Sequence, residues 1–171
     1  MARVAEGGDD EPVMVFRCVK CRAEVTRPVR EVPLPDPDDA RAPYEMEDGE
    51  ECPPRMAPGT FAVDPEPAGA PWVESPDEDG GRVLLPGGPR NSIVLSPADV
   101  RGLRPIHGKG RRNGCCGPDG HDGPNLACAD CGAEIATESG DCWTFQQVVL
   151  VPTAVEPTGA QPARSLGRRL G

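Results

Sequence analysis

Two short cysteine phrases, 110 positions apart, constrain this chain more than any other feature. Cys18-Val19-Lys20-Cys21-Arg22-Ala23-Glu24-Val25 is echoed by Cys128-Ala129-Asp130-Cys131-Gly132-Ala133-Glu134-Ile135. Each phrase leads into an extended stretch with a related ending, Val29-Arg30-Glu31-Val32-Pro33 in the first half and Val148-Val149-Leu150-Val151-Pro152 in the second. Two copies of a turn followed by strands, near opposite ends of the sequence, predict two half-sites that close on each other. A Cys-x-x-Cys turn offers two thiolates from one tight bend, with backbone amides placed to bond the sulfurs, and two such turns complete a tetrahedral four-thiolate set. The candidate ligands are therefore Cys18, Cys21, Cys128 and Cys131, and the expected ion is Zn²⁺ in a structural role. Iron held by the same four thiolates is the alternative.

The separation of the pairs, 106 residues between Cys21 and Cys128, is wide. Closing that loop costs about 4–5 kcal/mol of chain entropy. A structural zinc contributes on the order of 10–16 kcal/mol in apparent terms, so the metal outweighs the loop. The chain needs such help. Only 31 of 171 residues are Val, Leu, Ile or Phe, whereas 22 are Pro and 21 Gly. A core that thin is usually supplemented by metals or disulfides. Residues 1–10 contain no apolar core of a secretory signal, and the run from Val148 to Val151 is far too short to span a bilayer. A cytoplasmic, reducing setting is expected, in which paired cysteines serve metals or redox chemistry rather than disulfides. A thioredoxin-like pair would need a βαβ setting, which the pattern does not offer.

Residues 1–11 and 156–171 read as tails around one domain, 12–155, with a Pro- and acid-rich insertion at 33–80. Short β-type runs occur at 13–19, 23–32, 60–63, 82–85, 92–95, 133–137 and 144–151. One short helix is expected to start at Ser96-Pro97-Ala98-Asp99, with Ser as cap and Pro at the first position. The fold class predicted is mostly β with long irregular connections.

Around the cysteines the residues resemble the zinc-ribbon class, in which two Cys-x-x-Cys knuckles on β-hairpins share one zinc. The likeness covers about residues 13–32 and 125–151 and implies metal binding without implying a role. Gly132 stands where such knuckles favour a left-handed residue, whereas the first copy has Arg22 there. The wider run Gly110-Arg111-Arg112-Asn113-Gly114-Cys115-Cys116-Gly117-Pro118-Asp119-Gly120, with Asp122-Gly123-Pro124-Asn125 and Asp141-Cys142-Trp143, is similar to a family of bacterial proteins of uncharacterised activity. The preference for Arg over Lys, only Lys20 and Lys109 being lysine, accords with a high-GC genome.

Cys115, Cys116, His121 and Cys142 lack ordinary zinc spacing, and the three cysteines are expected to pack as small apolar groups around the clamp. A second metal site and a reactive thiol are the competing readings. DGHDGPN at 119–125 lacks the alternating acids of a calcium loop and reads as a turn that orients the second knuckle.

The net charge is −10, with 15 acids against Arg41 and Arg55 between residues 31 and 79. The one dense basic patch is Arg101, Arg104, His107, Lys109, Arg111 and Arg112. It is expected either to dock on the acidic segment or to hold an external anion such as RNA. No aromatic residue is interleaved there for base stacking. The function expected is a non-enzymatic, zinc-stabilised interaction or adaptor module; a nucleic-acid-associated protein using the 101–112 patch is the alternative, and no catalytic residue is assigned.

Overall fold

The computed structural model describes residues 12–108 and 110–159. Eleven strands form in chain order: β1 Val13–Cys18, β2 Val29–Glu31, β3 Thr60–Asp64, β4 Trp72–Pro76, β5 Arg82–Pro86, β6 Ser92–Leu95, β7 Leu103–Pro105, β8 Leu126–Cys128, β9 Glu134–Ser139, β10 Gln147–Leu150 and β11 Val155–Gly159. Nine of them make one sheet, ordered β11-β1-β2-β3-β6-β10-β9-β8-β7, while β4 and β5 form a separate hairpin. Every pairing in the sheet is antiparallel except β2 with β3. The fold is mostly β, as the sequence predicts.

The alternation of side chains explains why these segments extend. Phe61, Ile93, Leu95, Val148 and Leu150 join Phe16, Val25, Val29 and Ile135 in the main buried cluster. Their sequence neighbours Ala62, Val94 and Val149 point the other way, onto Met56, Val32 and Leu34. A period of two with both faces covered accounts for β6, whose four residues are all buried.

The strand order is nearly palindromic about its middle. The two cysteine-bearing strands, β1 and β8, each lie second from an edge, next to β11 and β7. Six strand steps separate β1 from β8, which in a flat sheet is about 29 Å at the usual spacing. Cys18 and Cys128 nevertheless offer sulfurs within 4.8 Å of one another. The sheet is therefore curled, and its two ends meet at the cysteines. Beyond the sulfurs this junction is stitched by an isolated bridge between Thr26 and Val100. Arg101 N–H donates to the Val25 carbonyl (3.0 Å), and Arg27 N–H to that of Asp99 (2.7 Å).

Several sequence expectations need correction. The C-terminal tail does not begin at 156: residues through Gly159 form β11, aligned along β1 from Cys18 opposite Val155 to Met14 opposite Gly159. Val155 is buried and Thr158 Oγ1 donates to the Val15 carbonyl, which ties the strand down. The stretch 33–80 is not an excursion, because β3 runs through the sheet between β2 and β6. The remainder of that stretch includes two single 3-10 turns, Pro37–Asp39 and Pro43–Glu45, and strand β4. The expected helix is one 3-10 turn, Pro97–Asp99, in which Ser96 Oγ accepts the Ala98 N–H. It stops at Val100, whose extended backbone is drawn into the bridge with Thr26. The expected N-terminal tail, 1–11, lies outside the described residues.

Candidate metal centre

The two knuckles are built alike, bond for bond. In the first, Cys18 N–H donates to the Ala23 carbonyl (2.9 Å) and Arg22 N–H to the Cys18 carbonyl (2.9 Å). In the second, Cys128 N–H donates to Ala133 (2.8 Å) and Gly132 N–H to Cys128 (2.9 Å). The correspondence extends outward. Val19 N–H donates to the Ala154 carbonyl and Ala129 N–H to that of Gly102, so each turn is moored to the segment beside its edge strand.

Both turns close through a left-handed residue, φ 75° at Gly132 and φ 67° at Arg22. For a residue with a Cβ this conformation costs about 1–2 kcal/mol. Arg22 holds it while its guanidinium pairs with Glu156 of β11 and its carbonyl accepts from Arg17 Nη1. The departure from glycine therefore leaves the geometry of the first knuckle intact.

The four sulfurs lie within 4.8 Å of one another. Across the pairs, Cys18 Sγ is 3.7 Å from Cys131 Sγ and Cys21 Sγ is 3.5 Å from Cys128 Sγ. A tetrahedral zinc with bonds of about 2.3 Å needs sulfur–sulfur edges of about 3.8 Å, so the donor set fits the ion. Cys18 and Cys128 are fully buried in the main core, while Cys21 and Cys131 form the outer rim. Burial opposes ionisation of Cys18, yet the backbone of Cys21 and Lys20 and the adjacent thiols Cys131 and Cys21 hold it below the ordinary thiol value. At Cys21 the Ala23 backbone favours the thiolate, but desolvation and the thiols of Cys128, Cys131 and Cys18 push it up to about 12. Four crowded sulfurs cannot all carry charge without a cation between them, and a metal held there would supply that cation.

A second cysteine group lies elsewhere. Cys115, Cys116 and Cys142 also bring their sulfurs within 4.8 Å of one another. The expectation that these residues pack around the clamp is not met: Cys115 and Cys116 are exposed, and the three thiols face each other instead. Their shared anchor is Asp141, 5% exposed, whose Oδ1 accepts both the Cys115 and Cys116 N–H groups at 3.0 and 2.8 Å. The Cys116 backbone, with those of Cys142 and Cys115, holds this carboxyl below the usual range. The thiol of Cys142 is pushed up to about 12 by Cys116 beside it, then by desolvation and the Asp141 charge. His121 is not part of the group. It stacks edge-on to Trp72, with ring centroids 5.5 Å apart, and lies 3.4 Å from Asp119.

The 119–125 turn ends in Asn125, which is fully buried and joins β9 as a strand would. Its Oδ1 accepts from Glu138 N–H (2.7 Å) and its Nδ2 donates to the Glu138 carbonyl (2.9 Å). Three arginines of the basic patch pair within the chain, but with other acids than those of 31–79. Arg101 pairs with Glu24, Arg111 with Glu134 (3.2 Å) and Arg112 with Glu138 (2.8 Å). Proximity decides this: each of these acids sits on or beside the strands that flank the patch. Lys109 lies outside the described residues.

Among the described residues no helix is long and apolar enough to cross a membrane. No family model, no curated protein and no solved structure matches this chain.

Proposed function

We propose that Cys18, Cys21, Cys128 and Cys131 hold one zinc ion whose role is structural, and that the protein is an interaction or adaptor module working in a reducing compartment such as the cytoplasm. The observation that carries the metal reading is the pair of sulfur–sulfur separations, 3.7 and 3.5 Å, close to the edge of a zinc tetrathiolate. Four protein ligands leave no open position, which is the arrangement of a structural rather than a catalytic zinc. Zinc is preferred to iron because iron sites of this donor set sit in aromatic-rich cores, and the main cluster contains only Phe16 and Phe61.

An interaction role is supported by apolar side chains left at the surface of a rigid frame. Val73, Leu84 and Leu85 of the β4–β5 hairpin are about half exposed, and Trp143, 67% exposed, stacks on Tyr44. The nucleic-acid alternative draws less support, since Arg101, Arg111 and Arg112 are engaged by Glu24, Glu134 and Glu138. Elemental analysis of the purified full chain, beside Cys18→Ser and Cys128→Ser, tests the metal reading. Zinc lost from this site in either variant is expected; iron in its place, or zinc content unchanged by both substitutions, overturns the reading.

A further inference from the structure

Three thiols at a surface, with no part in the core, are held together by a loop that has little freedom to do otherwise. Gly114 takes φ 152°, and a Cβ there would stand 1.7 Å from the Gly117 carbonyl oxygen. A Cβ on Gly117 would stand 2.6 Å from the Gly140 carbonyl oxygen. Only glycine permits these approaches: the first closes the Cys115-Cys116 turn on itself, and the second sets it against Gly140, at the head of the turn after β9 that carries Cys142. Five hydrogen bonds then fix it: Asp141 Oδ1 accepts the N–H groups of Cys115 and Cys116, Asp119 N–H donates to Asn113, Gly140 N–H donates to Pro118, and Thr144 Oγ1 accepts the Asp141 N–H. A buried carboxylate and two close glycine contacts thus pre-arrange a soft donor set that hydrophobic packing does not require.

We propose that Cys115, Cys116 and Cys142 form a second metal site, a surface trithiolate for a thiophilic d10 ion (cuprous copper or zinc), with one side of the ion left to an external ligand. Three sulfurs in a plane around an ion at about 2.3 Å stand about 4.0 Å apart, which sulfurs lying within 4.8 Å of each other reach by small rotations. Among the described residues no fourth Cys, His, Asp or Glu completes the group. Asp141, the nearest carboxylate in sequence, is occupied by the loop amides. Cuprous ion is satisfied by the three thiolates, whereas zinc takes a water or an incoming ligand as its fourth. The clamp buries two of its four sulfurs, whereas this site exposes two of its three, Cys115 and Cys116, so its ion exchanges with solution faster than that of the clamp.

The test compares the reduced full chain with the Cys115→Ser/Cys116→Ser/Cys142→Ser variant. Each is loaded separately with zinc and with cuprous ion, and bound metal is counted after desalting. Wild type is expected to hold one ion more than the variant, with unchanged circular dichroism. An excess seen with zinc alone or copper alone identifies the ion. Because the difference is read, failure at the clamp lowers both counts equally and leaves this result intact. Cobalt substitution supplies a second readout: bands of the additional ion are expected to shift when an external thiol or imidazole is added. Equal metal counts in the two proteins, or a disulfide among the three cysteines that persists under reductant, overturns the proposal.

Discussion

Stripping the metal from the Cys18/Cys21/Cys128/Cys131 clamp is expected to loosen the sheet from its two ends inward. The ion ties residues with 106 others between them, and the roughly 10–16 kcal/mol that a structural zinc contributes to the folded state exceeds the roughly 4–5 kcal/mol of loop closure by at least about 5 kcal/mol, which removal of the metal forfeits. Against a total domain stability of about 5–15 kcal/mol, that is a third or more. For a domain of this length the loss corresponds to a drop in Tm of roughly 10–20 °C. The strands do not respond equally. β3, β6 and β10 pair with each other at the sheet centre, whereas β1 and β8 depend on the junction that the cysteines make. Hydrogen exchange with and without a zinc chelator should therefore show protection lost first at Phe16, Val25, Ala127 and Cys128, and retained longest at Val94 and Val149. A metal-free protein melting within about 2 °C of the loaded one, or uniform loss of protection across the sheet, would refute this account.

Other outcomes follow from single residues. Gly132→Ala, which adds a Cβ to a left-handed residue at φ 75°, should cost about 1–2 kcal/mol in denaturant unfolding, while Arg22→Gly should be neutral or stabilising by up to about 1 kcal/mol. Leu150→Ala, at a fully buried position, should cost about 2–5 kcal/mol by the same measurement. Ending the chain after Ala154 removes β11 and the buried Val155, and should lower stability by at least about 2 kcal/mol. The pH dependence has opposite signs with and without metal. Cys21, raised to about 12 in the folded metal-free protein from an ordinary value of 9.0, keeps its proton where the unfolded chain has lost it, so chelated protein should lose stability between pH 9 and 12. Loaded protein should instead lose its metal as pH falls, because protons compete for the thiolates, and a chelator-competition series from pH 8 to 5 would show whether affinity declines.

The clamp was legible because its signal is local and doubled: each Cys-x-x-Cys lies within four residues, and the second copy repeats the surroundings of the first. The central strands were legible as short continuous apolar runs, as in Ile93-Val94-Leu95, the pattern of a strand covered on both faces. The edges were not. β7 contains Pro105 and β11 contains Pro157, residues that argue against a strand anywhere but at a sheet margin, which is where both occur. β8 has three residues, too few to show a period, and β4 is bounded by Pro71 and Pro76. The trithiol was legible only as a competing reading, with His121 among its candidates, and for a different reason. Cys142 reaches Cys115 and Cys116 only because Asp141 collects their amides and glycines allow the backbones to touch. No spacing rule encodes that.

The near-palindromic strand order has a bearing on assembly. Each half of the polypeptide carries one knuckle and half of a coordination sphere, although both edge strands, β7 and β11, come from its C-terminal part, so an ion would have no means of telling a chain's own second knuckle from a neighbour's. Discrimination rests on tethering, which keeps the local concentration of the attached half in about the millimolar range. Below that protein concentration closure within one molecule prevails. Above it, or when metal is restored to crowded unfolded chains, exchange of knuckles between molecules would give interlocked dimers with every ligand satisfied.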